Sequence, residues 1–195
     1  DGNPSKIIVN DSWNVPPSAR QDPADPYTFA PGVYYGGIKM NGGTYYFAPG
    51  VYVIAGGGLD VSGGNLYGSG VFFYNTVNGK GTKPGPISIT TTGTVSLSPP
   101  STSPYAGMVP NVVFFQDRNL TASNLNFNIE ATSSTSISGT IYVPTNHVKI
   151  TGGGAVGVVN GQVIANTVHF GGGSGISVYY DKSQIAYNAG ATLVE

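Results

Sequence analysis

Pro31-Gly32-Val33-Tyr34 returns as Pro49-Gly50-Val51-Tyr52, and a looser copy follows as Ser69-Gly70-Val71-Phe72. Each copy is trailed by a short apolar triplet, a Gly pair and another short apolar run. Three short strand candidates joined by glycines and repeated about every 20 residues are the signature of a β-helix coil. One such coil cannot bury its own apolar side, so the pattern is stable only when successive coils stack.

Working outward from these copies, the residues from 33 onward divide into six coils of three strand candidates, separated by Gly, Asn or Pro turns. The first strands are expected at 33–35, 51–54, 71–74, 112–115, 140–143 and 162–165. The second are expected at 38–40, 59–61, 87–90, 126–130, 148–151 and 167–170, and the third at 44–47, 65–67, 94–98, 136–138, 155–159 and 175–180. The fold class is therefore all-β, a single-domain parallel β-helix over residues 31–195, with right-handed winding as the default for parallel crossovers. Two insertions, 75–86 and 99–111, swell one coil, and long loops on a solenoid gather on its flanks.

The second strands carry the sharpest pattern. Their centres read Ile38-Lys39-Met40, Leu59-Asp60-Val61, Ile87-Ser88-Ile89, Phe127-Asn128-Ile129, Val148-Lys149-Ile150 and Val168-His169-Phe170. Alternate residues of a strand face opposite sides, so the apolar flanks point inward and the middle residues form one outward column. A one-residue slip would bury Lys39, Asp60 and Lys149, at several kcal/mol per unpaired charge.

The first strands give no such contrast. Aligned by motif, Val33, Val51, Val71, Val113, Ile141 and Val163 face inward and Tyr34, Tyr52, Phe72, Phe114, Tyr142 and Ile164 face outward. An outward column this apolar is either covered, by residues 1–30 or the insertion loops, or it is a binding stripe. Tyr34, Tyr52, Phe72, Phe114 and Tyr142 are accordingly the candidate binding residues.

Residues 1–30 differ in kind: one apolar stretch, Lys6-Ile7-Ile8-Val9, then Trp13 and Pro16, Pro17, Pro23 and Pro26. Proline fixes φ and removes a ladder donor, so this part reads as an extended lead-in lying on or beside the solenoid.

Composition limits the function. Charged residues make up 9% of the chain and the formal net charge is −1, leaving no electrostatic footprint for nucleic acid. With 39% hydrophobic and 11% aromatic residues, the 30 Gly and 14 Pro accompany a packed core and not a disordered chain. The absence of cysteine removes disulfides and thiolate metal sites. No apolar run approaches the ~20 residues needed to span a bilayer.

Chemistry-bearing residues do not converge. Polysaccharide-cleaving β-helices need carboxylates gathered on one face, or a calcium-binding carboxylate cluster beside a base. Of nine acids, Asp60, Asp117 and Glu130 are the only ones in the central coils. Asp60 is about two rungs, or ~10 Å, from the others along the axis, too far for a retaining pair. No catalytic residues are expected. Lys39 and Asp60 read as an exposed cross-rung ion pair. His147 and His169 fall near adjacent rungs without a third ligand at suitable spacing, so neither a metal site nor a cofactor is expected.

The run Asp25-Pro26, Phe29-Ala30-Pro31-Gly32-Val33-Tyr34-Tyr35-Gly36-Gly37-Ile38, with Pro49-Gly50-Val51-Tyr52-Val53-Ile54-Ala55-Gly56-Gly57-Gly58-Leu59, resembles a known family. Pro104-Tyr105-Ala106-Gly107-Met108, Val113-Phe114-Phe115-Gln116-Asp117-Arg118, Gly139-Thr140-Ile141-Tyr142-Val143-Pro144 and the tail around Leu193-Val194-Glu195 extend the likeness. The family is the C-terminal β-helical region of Tad (tight adherence) pilus-assembly proteins of the TadE/TadG-related type. The resemblance implies a cell-envelope or extracellular β-helix without catalysis, used in adhesion or surface assembly. The expected function is thus a non-enzymatic structural or adhesive protein, pilus-related or self-assembling into filaments, whose partner is a protein, a glycan or a second copy. The alternative is a carbohydrate-active β-helix, a polysaccharide lyase or hydrolase.

Overall fold

The computed structural model describes residues 27–77, 83–103, 109–131, 135–152, 158–172, 177–184 and 186. Its strands are β1 (Tyr27–Phe29), β2 (Gly32–Tyr35), β3 (Ile38–Met40), β4 (Thr44–Phe47), β5 (Gly50–Ala55), β6 (Leu59–Val61), β7 (Asn65–Ser69) and β8 (Val71–Thr76). They continue with β9 (Ile87–Thr90), β10 (Val95–Ser98), β11 (Val112–Gln116), β12 (Phe127–Ala131), β13 (Thr135–Gly152), β14 (Val158–Gly172) and β15 (Ser177–Tyr179). Among the described residues the only helical turn is a 3-10 turn at Lys182–Gln184.

Among the described residues all pairings between these strands are parallel, and each links an element to its counterpart one coil away. The chain is a parallel β-helix with three walls. Wall A contains β2, β5, β8 and β11, wall B contains β3, β6, β9 and β12, and wall C contains β1, β4, β7 and β10. The long strands β13 and β14 bend around the corners and add rungs to all three, and β15 closes wall C.

Wall C starts one rung earlier than the pattern of coils placed it. β1 pairs Tyr27 with Tyr45 and Phe29 with Phe47, so residues 27–29, expected in the lead-in, are ladder residues. Phe29 is buried and stacks on Phe47 with centroids 4.7 Å apart. Residues 1–26 of the lead-in lie outside the described residues. The first insertion also begins later than expected. Asn75 and Thr76 belong to β8, and Asn75 turns into the interior with no exposed surface.

Wall B follows the expected register throughout. Lys39 pairs with Asp60, Asp60 with Ser88, Ser88 with Asn128, Asn128 with Lys149, and Lys149 with His169. The flanking Ile38, Met40, Leu59, Val61, Ile87, Ile89, Phe127, Ile129, Val148 and Ile150 are buried. Each such side chain contributes roughly 1.5–3 kcal/mol on full burial, an upper figure because unfolded chains already bury some surface. The last described rung differs: Val168 and Phe170 are 41% and 49% exposed, and among the described residues no strand pairs with their far side.

Wall A reverses part of the motif alignment. Gly32 pairs with Tyr52, so the first two motif copies stand two residues apart in the ladder and both tyrosines keep the inner side. Gly50 pairs with Val71, so the third copy is offset by one: Phe72 meets Val51 outside and Phe73 enters the core over Tyr52. At β11 a bulge between Val112 and Phe114 puts both Val113 and Phe114 inside. Tyr34, Tyr52 and Phe114 are therefore core residues and not members of an outward stripe. The motif copies mark where strands begin, whereas facing follows parity counted through the hydrogen-bond register. On a wall apolar on both sides, pattern alone does not choose between the two.

The inner aromatics form a continuous stack. Tyr52, Phe73, Phe114 and Phe127 follow one another at centroid distances of 5.2, 5.1 and 5.0 Å. The buried hydroxyls are satisfied by backbone: Tyr34 donates to Ala30 O, and Tyr52 has Ala48 O at 2.6 Å and Phe29 O at 2.9 Å for its single proton. At the corners, glycines let one rung lie on the next. A Cβ built on Gly57, at φ +71°, would stand 1.9 Å from Gly36 O.

Candidate functional site

The outer face of wall A carries two columns. One runs Val33, Val53, Tyr74, Phe115, Tyr142 and Ile164. The other includes Val51, Phe72 and Val112, followed by Thr140 and Gln162. Doublets make this face: in Phe72-Phe73 and Phe114-Phe115 one ring must point in and its neighbour out, because successive strand residues alternate.

The two columns have different fates. Val51, Phe72 and Val112 are almost fully buried although they point outward, in a second apolar cluster against which Ala186 packs. The C-terminal segment is tied there by two hydrogen bonds: Ala186 N donates to Thr140 Oγ1 at 2.9 Å, and Asn111 Nδ2 donates to Ser183 O at 3.1 Å. Part of the outward face is thus covered, by the end of the chain. The Tyr74, Phe115, Tyr142 column stays half-exposed, and Ile164 beyond it is 37% exposed.

Of the five expected binding residues, Tyr34, Tyr52 and Phe114 lie in the core, Phe72 lies under the C-terminal segment, and Tyr142 alone is on the open column. Tyr74 and Phe115 occupy the places that the motif alignment gave to others.

The open rings stack on each other and not toward solvent. Phe115 and Tyr142 are 4.7 Å apart and inclined by 25°, while Tyr74 meets Phe115 edge-on at 5.6 Å. Phe115 and Tyr142 each turn one face to the other within the ladder, and the edges of such rings carry the positive part of the aromatic quadrupole.

Asp117 and Arg118 close the column where β11 ends. Asp117 Oδ2 accepts from Thr76 Oγ1 at 2.8 Å and from the Tyr74 hydroxyl at 3.1 Å; Oδ1 accepts from Asn119 N at 2.9 Å and Asn119 Nδ2 at 3.0 Å. Partial burial pulls this carboxyl upward, but the bonds from Asn119, Thr76 and Tyr74 outweigh it and hold it below the usual Asp range. Burial, with the carboxylate beside it, raises the Tyr74 phenol. A carboxylate with both oxygens engaged and a lowered pKa is a fastening and a poor general acid. Arg118 Nε donates to the Tyr142 hydroxyl at 2.8 Å, with its guanidinium carbon 5.5 Å from the ring centroid. The side chain is otherwise exposed, and a guanidinium carries four further N–H donors on its Nη atoms.

The other acids are elsewhere. Asp60 pairs with Lys39 at 3.2 Å on wall B, both well exposed, a contact worth at most ~1 kcal/mol. Glu130 is exposed on the same wall, beside Thr90 and Thr151. His147 and His169 have ring centroids 6.4 Å apart, and His147 Nδ1 lies 2.8 Å from Thr167 Oγ1. Among the described residues no three His, Cys, Asp or Glu side chains gather, and no helix is long and apolar enough to cross a membrane. Models of protein families, curated proteins and solved structures give no match to this chain.

Proposed function

We propose that the chain is a non-enzymatic structural or adhesive β-helix of a cell surface or extracellular setting, engaging a protein partner through the Tyr74, Phe115, Tyr142 and Arg118 face. The observation that carries this reading is the contrast between Asp117, whose two oxygens are held by four donors, and the half-exposed rings and exposed Arg118 beside it. Ring edges and a guanidinium both attract oxygen acceptors, so carbonyl and carboxylate groups of a polypeptide suit this face. Sugar stacking needs a free ring face, and those of Phe115 and Tyr142 are largely turned on each other. The resemblance to pilus-assembly β-helices supports the surface setting.

The test is attachment of beads coated with the full chain to surfaces bearing extracellular proteins or polysaccharides. Attachment to a protein surface that falls several-fold in Tyr142→Ser and Arg118→Ala, with unchanged circular dichroism, is the expected result. Attachment insensitive to both substitutions, or release of reducing or unsaturated ends from a polysaccharide, overturns it.

A further inference from the structure

The chain contains three Asn-Gly pairs, at 41–42, 78–79 and 160–161. The second lies outside the described residues; the other two sit in opposite environments. Asn41 is exposed at the corner between β3 and β4, and a Cβ built on Gly42 meets nothing within 4 Å. Among the described residues the corner's backbone is anchored on either side, by Ser62 N on Met40 O at 2.9 Å and Asn65 N on Gly43 O at 2.8 Å. Asn160 is within β14, paired with Ser138 on one side and Tyr179 on the other. Gly161 is buried against Gly139, whose carbonyl oxygen would stand 2.1 Å from an added Cβ.

We propose that Asn41 is a site of spontaneous covalent modification, deamidation through a succinimide, and that the ladder protects Asn160 from the same reaction. The Gly42 amide nitrogen loses its proton to base and attacks Asn41 Cγ. A new N–C bond closes the five-membered imide as the Cγ–Nδ2 bond breaks, and the side-chain nitrogen leaves as ammonia. Water then opens one of the two imide C–N bonds, giving aspartate or isoaspartate with no redox change. Glycine matters on the attacking side, because without a Cβ its nitrogen approaches freely. At Asn160 the same approach requires the peptide to rotate out of pairing on both neighbouring rungs, so reaction waits for local opening.

The product replaces a neutral amide by a carboxylate, making the formal net charge one unit more negative than its present −1. Isoaspartate also routes the main chain through an extra methylene, at a corner whose two sides are tied to the next rung.

The experiment is peptide mapping by mass spectrometry, resolving aspartate from isoaspartate, after incubation of the full chain at mildly alkaline pH, folded and in denaturant. In the folded chain Asn160 is expected to convert slower than Asn41 by on the order of ten-fold or more, since only its opened population reacts. In denaturant the two converge. Equal rates in the folded chain, or an Asn41 rate as low as that of Asn160, overturn the proposal. Asn41→Gln should remove the first acidic species seen on ion exchange, and its persistence would count against Asn41 as the source.

Discussion

Gln116 Nε2 lies 2.7 Å from Asn146 Oδ1 inside the corner between walls A and B, with neither side chain appreciably exposed. Gln116 also donates to Leu125 O at 3.1 Å and accepts from Asn75 Nδ2 at 3.4 Å. Asn75 bonds Gly85 O and Asn146 bonds Ala122 O, so one amide ladder fastens three turns from within. Replacing Gln116 by Met keeps the length and removes the amide, leaving the buried Leu125 O without this donor. The expected loss is about 2–3 kcal/mol, because an orphaned buried group costs its full desolvation. Urea unfolding should show a lower midpoint with an unchanged slope, while Ser88→Ala on the outer face of wall B stays within about 0.5 kcal/mol of the parent.

Gly57 and Gly42 share a φ of +71° and differ in what surrounds them. At Gly42 an alanine meets open space and incurs only the left-handed penalty, about 1–2 kcal/mol. At Gly57 the new Cβ would collide with Gly36 O at 1.9 Å and force two rungs apart. Gly57→Ala is therefore expected to cost at least ~3 kcal/mol or to abolish soluble expression, since backbone cannot yield as a side chain can. Equal thermal midpoints for the two variants would refute close rung stacking at this corner.

These two sites also mark what could be read from the chain alone. Wall B was legible because each triplet sets a polar or charged residue between two apolar ones, so a wrong register is costly and visible. Wall A lacked that contrast: Val51-Tyr52-Val53-Ile54 is apolar on both sides, and the motif copies that announce its strands are offset by two residues once and by one the next time. Hence Tyr74 and Phe115 were missed and Tyr34, Tyr52 and Phe114 misplaced. Asn75, ahead of a Gly-rich insertion, and Gln116, ahead of Asp117-Arg118-Asn119, were unreadable for a related reason, as amides at a strand end look like loop residues until the ladder shows them turned inward.

The placement of the tyrosines is open to direct test. Tetranitromethane should nitrate the exposed Tyr46, Tyr179 and Tyr180 in the folded chain and spare Tyr34 and Tyr52, which are at most 1% exposed. Burial raises both phenols above their ordinary value of 10.0, with Tyr34 adding to the effect at Tyr52. A folded value above the unfolded one means that their contribution to stability is complete below pH 10 and is lost as pH rises beyond it. Spectrophotometric titration should therefore show a set of tyrosines, Tyr34 and Tyr52 among them, that ionise only together with alkaline unfolding. If every tyrosine titrates near pH 10 with the fold intact, the inward assignment fails.

At the acid end the sign is opposite. The Asp117 carboxyl sits below its ordinary 3.8 in the folded chain, so the stability it supplies is present above that value and disappears as pH falls through the lowered one. Asp181, held by the Ser183 hydroxyl and amide, shifts the same way but stands in open solvent, where screening leaves it little weight. Asp117→Asn keeps the side-chain shape but turns one acceptor into a donor facing Tyr74 and Thr76 or Asn119. The variant should be less stable at neutral pH by about 1–2 kcal/mol, the range for a hydrogen-bonded charge that is only partly buried. Below pH 4 the gap to the parent should narrow, since the carboxyl of the unfolded parent then takes up its proton before that of the folded one does. Urea midpoints at pH 7 and pH 3 measure both quantities; a gap that is constant across the two would mean that Asp117 does not titrate as its four donors require.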